Sequence, residues 1–490
     1  MICVSIARSR HKMILAEHQA LAQRGVKLVE LRVDWLSRAP DVPRLLKDRL
    51  TPVIVTCRRR EEGGKWTGTE DERRTVLRAA IISGADYVDL EDDIATSIPR
   101  YGKTQRIVSH HDFESTPDNL EELWTAMAGM NPDIIKLVTT AKSPGDCVRV
   151  LKLVSEAKIP TVGFCMGEFG VPSRILCGRY GSPFTYAAMS AEREVAPGQL
   201  TLQQMTDIYR YDGITRDTKV FGVLGDPIGH SLSPLLHNAA MQKIGFDGVY
   251  LPIRVTRDQL PQMLDDFQWL DAQGYSVTIP HKEAVLAKYP ECEEIVRQIG
   301  AANTLFHTPT GWQSENTDFQ AALDCLHLPL PPGETLEGKR IVMLGAGGVA
   351  RAIGLGVTQQ GALLTIASRT PDRAQALAES LKCQHVTWPD RGLEHADILI
   401  NATPVGMHPH INETPYPADW MHNDLIVFDT IYNPEQTLLL KEARQNGCWT
   451  VSGSEMFVRQ AAAQFTRFTG QPAPLEMLKE TLRTSISAAK

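Results

Sequence analysis

Eight short β-rich runs recur through the first ~210 residues at intervals of about 20–30, a rhythm that restricts this half of the chain to repeated βα units. The runs are Ile2–Ile6, Lys27–Arg32, Val53–Cys57, Tyr87–Leu90, Ile107–Ser109, Ile134–Val138, Thr161–Cys165 and the weaker Pro183–Tyr186. Amphipathic stretches such as Glu70–Ser83 separate them. Eight strands in so short a length predict a compact (β/α)8 barrel of the TIM type rather than an open sheet. The turn signal Asp212-Gly213 and a polar run up to Lys219 then end the pattern, which places a first domain at 1–212.

Beyond the break, Val220–Leu224 opens a second α/β region, placed at 219–325. A Pro/Gly-rich stretch, Leu328–Gly333, separates it from a buried strand, Arg340–Leu344. Further strand signals at Leu364–Ala367, Ile398–Asn401 and Val427–Asp429 are spaced for a doubly wound, Rossmann-type sheet over 326–453. Closing helices over about 454–490, starting with Ser454–Phe468, are expected to pack back on 219–325. The whole chain is therefore read as α/β.

A chain of 490 residues exceeds one hydrophobic core, and its formal charge of -7 supplies no field for a polyanion, so nucleic acid is not expected as a partner. No apolar run reaches the roughly 18–20 residues that span a bilayer, and Met1–Ile6 lacks a basic region and long apolar stretch. A cytosolic protein without membrane attachment is expected. The nine cysteines are scattered with no Cys-x-x-Cys pair, so they are read as reduced thiols, and no metal site is indicated. His408 and His410 are read as a plain loop. Oligomeric state stays open.

Gly345-Ala346-Gly347-Gly348-Val349-Ala350 follows a strand and opens a helix, the context that a dinucleotide requires. Gly345 permits the tight turn, Gly347 lets the backbone approach a pyrophosphate, and small Ala350 lets helix and strand pack closely. The next strand ends in Ser368-Arg369-Thr370 followed by Arg373, where an NAD enzyme would carry an acid. Two arginines there fit the 2′-phosphate of NADP, although a solvated loop has the same pattern. Ser231 and Ser233 before a proline-started helix could hold a carboxylate or merely cap the helix. Thr278 and Lys282 follow a further strand, with Asn303 and Asp318 beyond.

In a barrel, chemistry sits at the C-terminal ends of the strands, and polar residues collect there. Glu30 and Arg32 close the second run, Arg58 and Glu62 follow the third, and His111 follows the fifth. Lys136 lies inside the apolar sixth run, where burial would favour the neutral amine that attacks carbonyls. An edge strand with an exposed lysine has the same pattern.

From about 220 to 470 the chain resembles shikimate dehydrogenase, through Ser231-Leu232-Ser233-Pro234, Thr278-Ile279-Pro280-His281-Lys282, Gly300-Ala301-Ala302-Asn303-Thr304, Asn316-Thr317-Asp318, Asn401-Ala402-Thr403-Pro404-Val405-Gly406-Met407 and Tyr432-Asn433-Pro434. The resemblance implies that Ser231, Ser233 and Thr278 hold the substrate carboxylate side and that Asn303, Asp318 and Gln460 bind ring hydroxyls. Tyr432 is implied to touch substrate, Lys282 to be catalytic with Asp318, and Gly345, Ala346, Gly347, Gly348, Ala350, Ser368, Arg369, Thr370, Arg373, Thr403 and Gly453 to bind NADP. Ser368 stands where Asn is usual, and Gly453-Ser454-Glu455-Met456 is an altered form of the family's stretch.

Residues 1 to about 210 resemble type I 3-dehydroquinate dehydratase, through Glu30-Leu31-Arg32-Val33-Asp34, Arg58 with Glu62-Gly63-Gly64, Ser109-His110-His111-Asp112-Phe113, Lys136, Pro172-Ser173-Arg174 and Ala196-Pro197-Gly198-Gln199. This implies an imine on Lys136, proton transfer by His111 supported by Glu62, a substrate carboxylate on Arg174, and hydroxyls on Glu30, Arg32, Arg58 and Gln199. Val195 replaces the Ser that many members carry, which removes a hydroxyl contact. Together the resemblances imply a bifunctional enzyme that converts 3-dehydroquinate to 3-dehydroshikimate and then, with NADPH, to shikimate. A catabolic quinate/shikimate dehydrogenase and a metabolite sensor built from inactive copies are the alternatives.

Overall fold

The computed structural model describes residues 1–393 and 395–488; residues 489 and 490, at the end of the stretch read as closing helices, lie outside them. Contacts divide the chain into two compact units. One is Met1–Val220 with Asp226–Gly229 and Asp247–Ala272; the other is Phe221–Gly225, His230–Phe246 and everything from Gln273 onward.

The first unit is built on β1 (Ile2–Ile6), β2 (Leu28–Arg32), β3 (Val53–Thr56), β4 (Tyr87–Glu91), β5 (Gln105–His111), β6 (Ile134–Thr140), β7 (Thr161–Met166) and β8 (Thr185–Ala188). Their order is β7-β6-β5-β4-β3-β2-β1-β8, with parallel ladders throughout. β1, β2, β3, β6 and β7 are buried almost end to end, which is why they read as continuous apolar runs.

Three details differ from the expectation. Among the described residues no ladder joins β7 to β8, so the ring is a near-barrel with one seam. There Phe164 of β7 meets Tyr186 of β8 edge-on, with ring centroids 6.2 Å apart, and Phe184 packs on Tyr186 at 5.6 Å. β8 also starts two residues later than its apolar run, because Pro183 has no N–H to give a ladder. Meanwhile β5 runs on to His111, so the adjacent histidines His110 and His111 point to opposite faces of one strand.

The later strands are β9 (Lys219–Gly225), β10 (Gly248–Arg254), β11 (Ala272–Val277), β12 (Thr304–Thr308), β13 (Gly311–Glu315), β14 (Arg340–Leu344), β15 (Leu363–Ala367), β16 (Gln384–Val386), β17 (Ile398–Asn401), β18 (Ile426–Asp429) and β19 (Trp449–Val451). β10 lies in the stretch that clusters with the first unit. In the second unit β11, β12 and β13 pair antiparallel, and β14 to β19 form a separate parallel sheet. Its order, β16-β15-β14-β17-β18-β19, reverses direction between β14 and β17. That reversal opens a crevice at the strand ends where a dinucleotide fits. The helix Gly453–Thr469 packs on Thr317–His327, and Leu475–Ala488 packs on Ser233–Ile244. No helix among the described residues is long and apolar enough to cross a membrane.

Gly345, at the end of β14, adopts φ +112°, and a Cβ there would lie 2.6 Å from the Ala402 carbonyl oxygen. Gly345→Ala should therefore lower the unfolding free energy by roughly 1–3 kcal/mol, read by urea denaturation; an unchanged midpoint would contradict the close packing of this turn.

Candidate active sites

One cavity in the first unit gathers Glu30, Arg32, Arg58, Glu62, His111, Lys136, Arg174 and Gln199, with Phe164, Tyr186 and Val195 completing its wall. Strand alternation and strand ends explain the gathering: Glu30, Arg32, His111 and Lys136 project from β2, β5 and β6, while Arg58, Glu62, Arg174 and Gln199 come from the segments that follow strands. A wider cleft of about 550 Å³ opens beside the starts of β1 and β2, between Arg24–Lys27 and Leu202–Asp207. Its Arg24 and Lys27 are exposed.

Lys136 is 5% exposed, and its Nζ lies 3.1 Å from Asp89 Oδ2, 3.7 Å from Glu30 Oε1 and 4.3 Å from the centre of the Tyr186 ring. Glu30 accepts hydrogen bonds from Ser5 at 2.7 Å and Thr56 at 2.8 Å. Arg58 donates to Asp89 at 2.8 Å and to Ser109 at 3.0 Å. Burial alone would raise the Asp89 carboxyl, but the charges of Arg58 and Lys136 and the bonds from Ser109 and Lys136 hold it well below the carboxylate range. Arg32 is forked onto Asp34 at 3.0 and 2.9 Å.

His111 Nδ1 lies 3.4 Å from Glu62 Oε2, and neither atom has a hydrogen-bond partner among the described residues. Burial, and then the charges of Arg58, Lys136 and Arg32, push the His111 imidazole well below its ordinary 6.5. Glu62 is raised, chiefly by burial. His110 moves the other way: its hydrogen bond to Asp92 at 2.8 Å raises it, against burial. Arg174 is 1% exposed, stacks over Phe164 at 4.5 Å and donates to the Pro197 carbonyl at 3.2 Å, yet has no acidic partner among the described residues. Burial pushes it down to about 10. A buried, uncompensated guanidinium in a cavity wall is a receptor for an anion.

In the second unit Lys282 Nζ donates to Asp318 Oδ2 at 2.5 Å, both groups being largely buried. Asn316 caps the helix that starts at Thr317, its Oδ1 accepting from the Asp318 N–H at 3.1 Å, which fixes the Asp318 backbone. The Thr278 N–H donates to the Leu224 carbonyl at 2.9 Å, so the ends of β9 and β11 adjoin, with Ser231 and Ser233 on the segment after β9. Ser231 Oγ accepts from the Ser233 N–H at 3.3 Å. Asn303 is 2% exposed and spends most of its amide on Thr317 and Thr304. Tyr432 stacks on Phe457 at 4.1 Å, and Gln460 donates to the Phe457 carbonyl.

The turn after β14 adjoins this cluster, since a Cβ on Gly348 would meet Lys282 Cδ at 3.2 Å. A Cβ on Gly347 would meet nothing within 4 Å, which leaves space over the helix N-terminus for a phosphate. Ala350 is fully buried between that helix and the sheet, and Ala346 flanks it. Ser368 accepts from the Thr370 N–H at 3.2 Å, while Arg369 and Arg373 are exposed and make no ion pair among the described residues. Thr403 is tied to Asn401, and Gly453 packs against the Ile431 carbonyl, where a side chain has no room. This surface fits an NADP-type dinucleotide.

Residues 2–216 match the type I 3-dehydroquinase family, 223–305 the shikimate dehydrogenase substrate binding domain, and 453–483 the shikimate 5'-dehydrogenase C-terminal domain. Residues 340–429 match a family described as NADP oxidoreductase, coenzyme F420-dependent. A bifunctional 3-dehydroquinate dehydratase/shikimate dehydrogenase, chloroplastic, of Arabidopsis thaliana is 38% identical over 97% of this chain and 83% of its own length. The chain belongs to this bifunctional family. Within its dehydrogenase half, a shikimate dehydrogenase (NADP(+)) of Methanosarcina mazei is 39% identical over 55% of the chain and 99% of the relative. A crystal structure of a shikimate dehydrogenase in complex with NADP+ superposes with a TM-score of 0.53 at 34% identity, covering 56% of this chain and 97% of that one.

The bifunctional member also carries polar groups that its motifs did not announce. Asp89 and Glu91 sit in β4, whose Tyr-Val-Asp-Leu-Glu spelling puts two acids on one face of a buried barrel strand, and that was the available signal. Gln464, 2% exposed and one turn beyond Gln460, donates to the Asn303 carbonyl at 3.0 Å and accepts from Ser276 at 2.7 Å. In ¹⁵N–¹H histidine spectra of the ligand-free protein at pH 6.5, His110 should be mostly protonated and His111 neutral; the reverse order would contradict the charge environment described.

Proposed function

We propose that the chain dehydrates 3-dehydroquinate to 3-dehydroshikimate in the barrel cavity and reduces 3-dehydroshikimate to shikimate in the second unit, as a cytoplasmic biosynthetic enzyme. Residues 1–212 would be the dehydratase, 219–325 with the closing helices the substrate half of the dehydrogenase, and 326–453 its NADP half. The observation that carries the first assignment is a buried lysine that shares one cavity with a histidine and with an arginine that has no acidic partner among the described residues.

Lys136 condenses with the substrate ketone, expelling water and leaving an iminium. Arg174 takes the carboxylate, while Glu30, Arg32, Arg58 and Gln199 hold hydroxyls. The Gln199 side-chain oxygen accepts from the Val195 N–H at 3.0 Å, which orients its amide donors. His111, whose imidazole burial shifts toward the neutral form, removes a proton beside the iminium carbon, and the iminium accepts the electron pair. The same imidazole, now charged and steadied by Glu62, returns that proton to the departing β-hydroxyl. Water then releases the enone and restores the lysine. Val195 presents methyl groups where a serine would present a hydroxyl.

In the second unit Ser231, Ser233 and Thr278 would receive the carboxylate, and Asn303, Asp318, Gln460 and Tyr432 the ring. NADPH supplies a hydride to the ketone carbon when bound. Lys282, oriented by Asp318, gives a proton to the ketone oxygen and stabilises the charge developing there. Gly345, Ala346, Gly347, Gly348 and Ala350 would cradle the pyrophosphate, Ser368, Arg369, Thr370 and Arg373 the 2′-phosphate end, and Thr403 with Gly453 the nicotinamide end. The net charge of -7 favours small molecules over nucleic acid as partners.

Purified full-length protein given 3-dehydroquinate and NADPH should consume cofactor. Lys136→Ala should cut dehydration by roughly 10²–10⁴-fold and spare reduction of added 3-dehydroshikimate; Lys282→Ala should do the opposite. A Lys136→Ala protein with intact dehydration would refute the barrel assignment. Replacing both Arg369 and Arg373 by Ala should raise KM for NADPH by about 10–100-fold with little change for NADH, measured by initial rates with each cofactor.

A further inference from the structure

Among the described side chains, the carboxylate nearest the Lys136 nitrogen is Asp89, 2% exposed and outside every motif quoted above. Its Oδ1 accepts from Ser109 at 2.6 Å and from Arg58 at 2.8 Å, which leaves Oδ2 facing Lys136 at 3.1 Å. Arg58 also lies 3.2 Å from Glu91, and Glu91 pairs with the fully buried Arg73. Charge thus alternates along Arg73, Glu91, Arg58, Asp89 and Lys136, each group fixed by the next. Glu30 is farther from Lys136, at 3.7 Å, and its oxygens are already held by Ser5 and Thr56.

We infer that Asp89 is the catalytic counter-ion of the covalent intermediate, the carboxylate that keeps the imine nitrogen protonated; this rests on the reading that Lys136 forms an imine. The balance of the step requires such a group. The ammonium and the ketone give an iminium and water: a C–N bond forms, the C–O bond breaks, and two nitrogen-bound hydrogens leave on the oxygen. The nitrogen carries one positive charge before and after. An anion held rigidly at 3.1 Å therefore serves both states without moving. The Tyr186 ring face, 4.3 Å away, favours the same cation. The other charged or titratable groups around the pair are Arg58, Glu30, His111 and Cys3. Only a protonated imine draws electrons strongly enough to release the adjacent proton, so the counter-ion acts on the chemical step rather than on binding.

The test is Asp89→Asn in the full-length chain, with the fold checked by circular dichroism and thermal melting. Dehydration kcat should fall on the order of 100-fold while KM moves far less, and Asp89→Glu should restore part of the rate. Borohydride reduction in the presence of 3-dehydroshikimate should trap the wild-type adduct evenly up to about pH 9, whereas trapping in the variant should decline as pH rises. A folded Asp89→Asn protein with wild-type kcat and an unchanged trapping profile would overturn the inference alone; a wild-type protein that yields no adduct would overturn the imine reading as well. Should Asp89→Asn not fold, ¹⁵N spectra of the lysine-labelled wild type with 3-dehydroshikimate decide: a protonated imine nitrogen at about pH 8 supports the counter-ion, and a neutral one refutes it.

Discussion

An ammonium group inside a ring of parallel strands is the constraint from which most of the first unit's polar interior follows. Taking an isolated ion out of water costs several kcal/mol, so Lys136 can stay in β6 only beside opposite charge. Asp89 supplies it, but Asp89 is itself buried and needs Arg58, which needs Glu91, which needs Arg73 on the helix Glu70–Ile82. The series ends at Glu70, the first member that reaches solvent. Every buried charge along it is matched. Arg174, in the same cavity, has no acidic partner among the described residues and is held by the Phe164 ring and the Pro197 carbonyl instead.

The second unit uses a lysine under different terms. Lys282 begins a helix, has a single carboxylate at 2.5 Å and retains some access to water. On the proposed reading this group gives a proton to the ketone oxygen. On the same reading Lys136, held by a network of buried ions, has the opposite task, in which nitrogen keeps its charge while its bonds to hydrogen become bonds to carbon. The two sites thus differ less in residue type than in how many partners each ammonium has.

Most of the architecture was legible because each architecture leaves its own period in the sequence. Buried parallel strands spell continuous apolar runs, and the glycine turn after Leu344 is spelled by the residues that its conformation demands. The seam between β7 and β8 was not legible, since no local pattern tells whether two distant strands exchange hydrogen bonds or pack rings instead. The paired histidines illustrate the same limit: the extent of β5 decides which one enters the cavity, and strand ends are weakly encoded. Motifs marked residues that the fold brings to a cavity or an ion pair, namely Lys136, His111, Arg174 and Lys282. They did not mark Asp89 or Gln464, whose partners lie 47 and 161 residues away in sequence. Residues that hold other residues carry no signature until the chain is folded.

The same principle orders the dinucleotide half. Asp429, at the end of β18 and fully buried, accepts from Asn401 at 3.0 Å, from the Ile431 N–H at 3.1 Å and from Thr437 at 2.6 Å. Burial raises it to about 6, against those hydrogen bonds. Asn401 in turn accepts from both the N–H and the hydroxyl of Thr403. One carboxyl group therefore ties the loop after β17 to the loop after β18, the two segments that carry Thr403 and Tyr432. Their neighbour Gly345 sits where a side chain would strike Ala402, so the turn, the two loops and the crevice between β14 and β17 keep one geometry. A site assembled from strand ends needs no long rigid element of its own, because the sheet supplies the spacing and a few buried polar groups hold the loops to it.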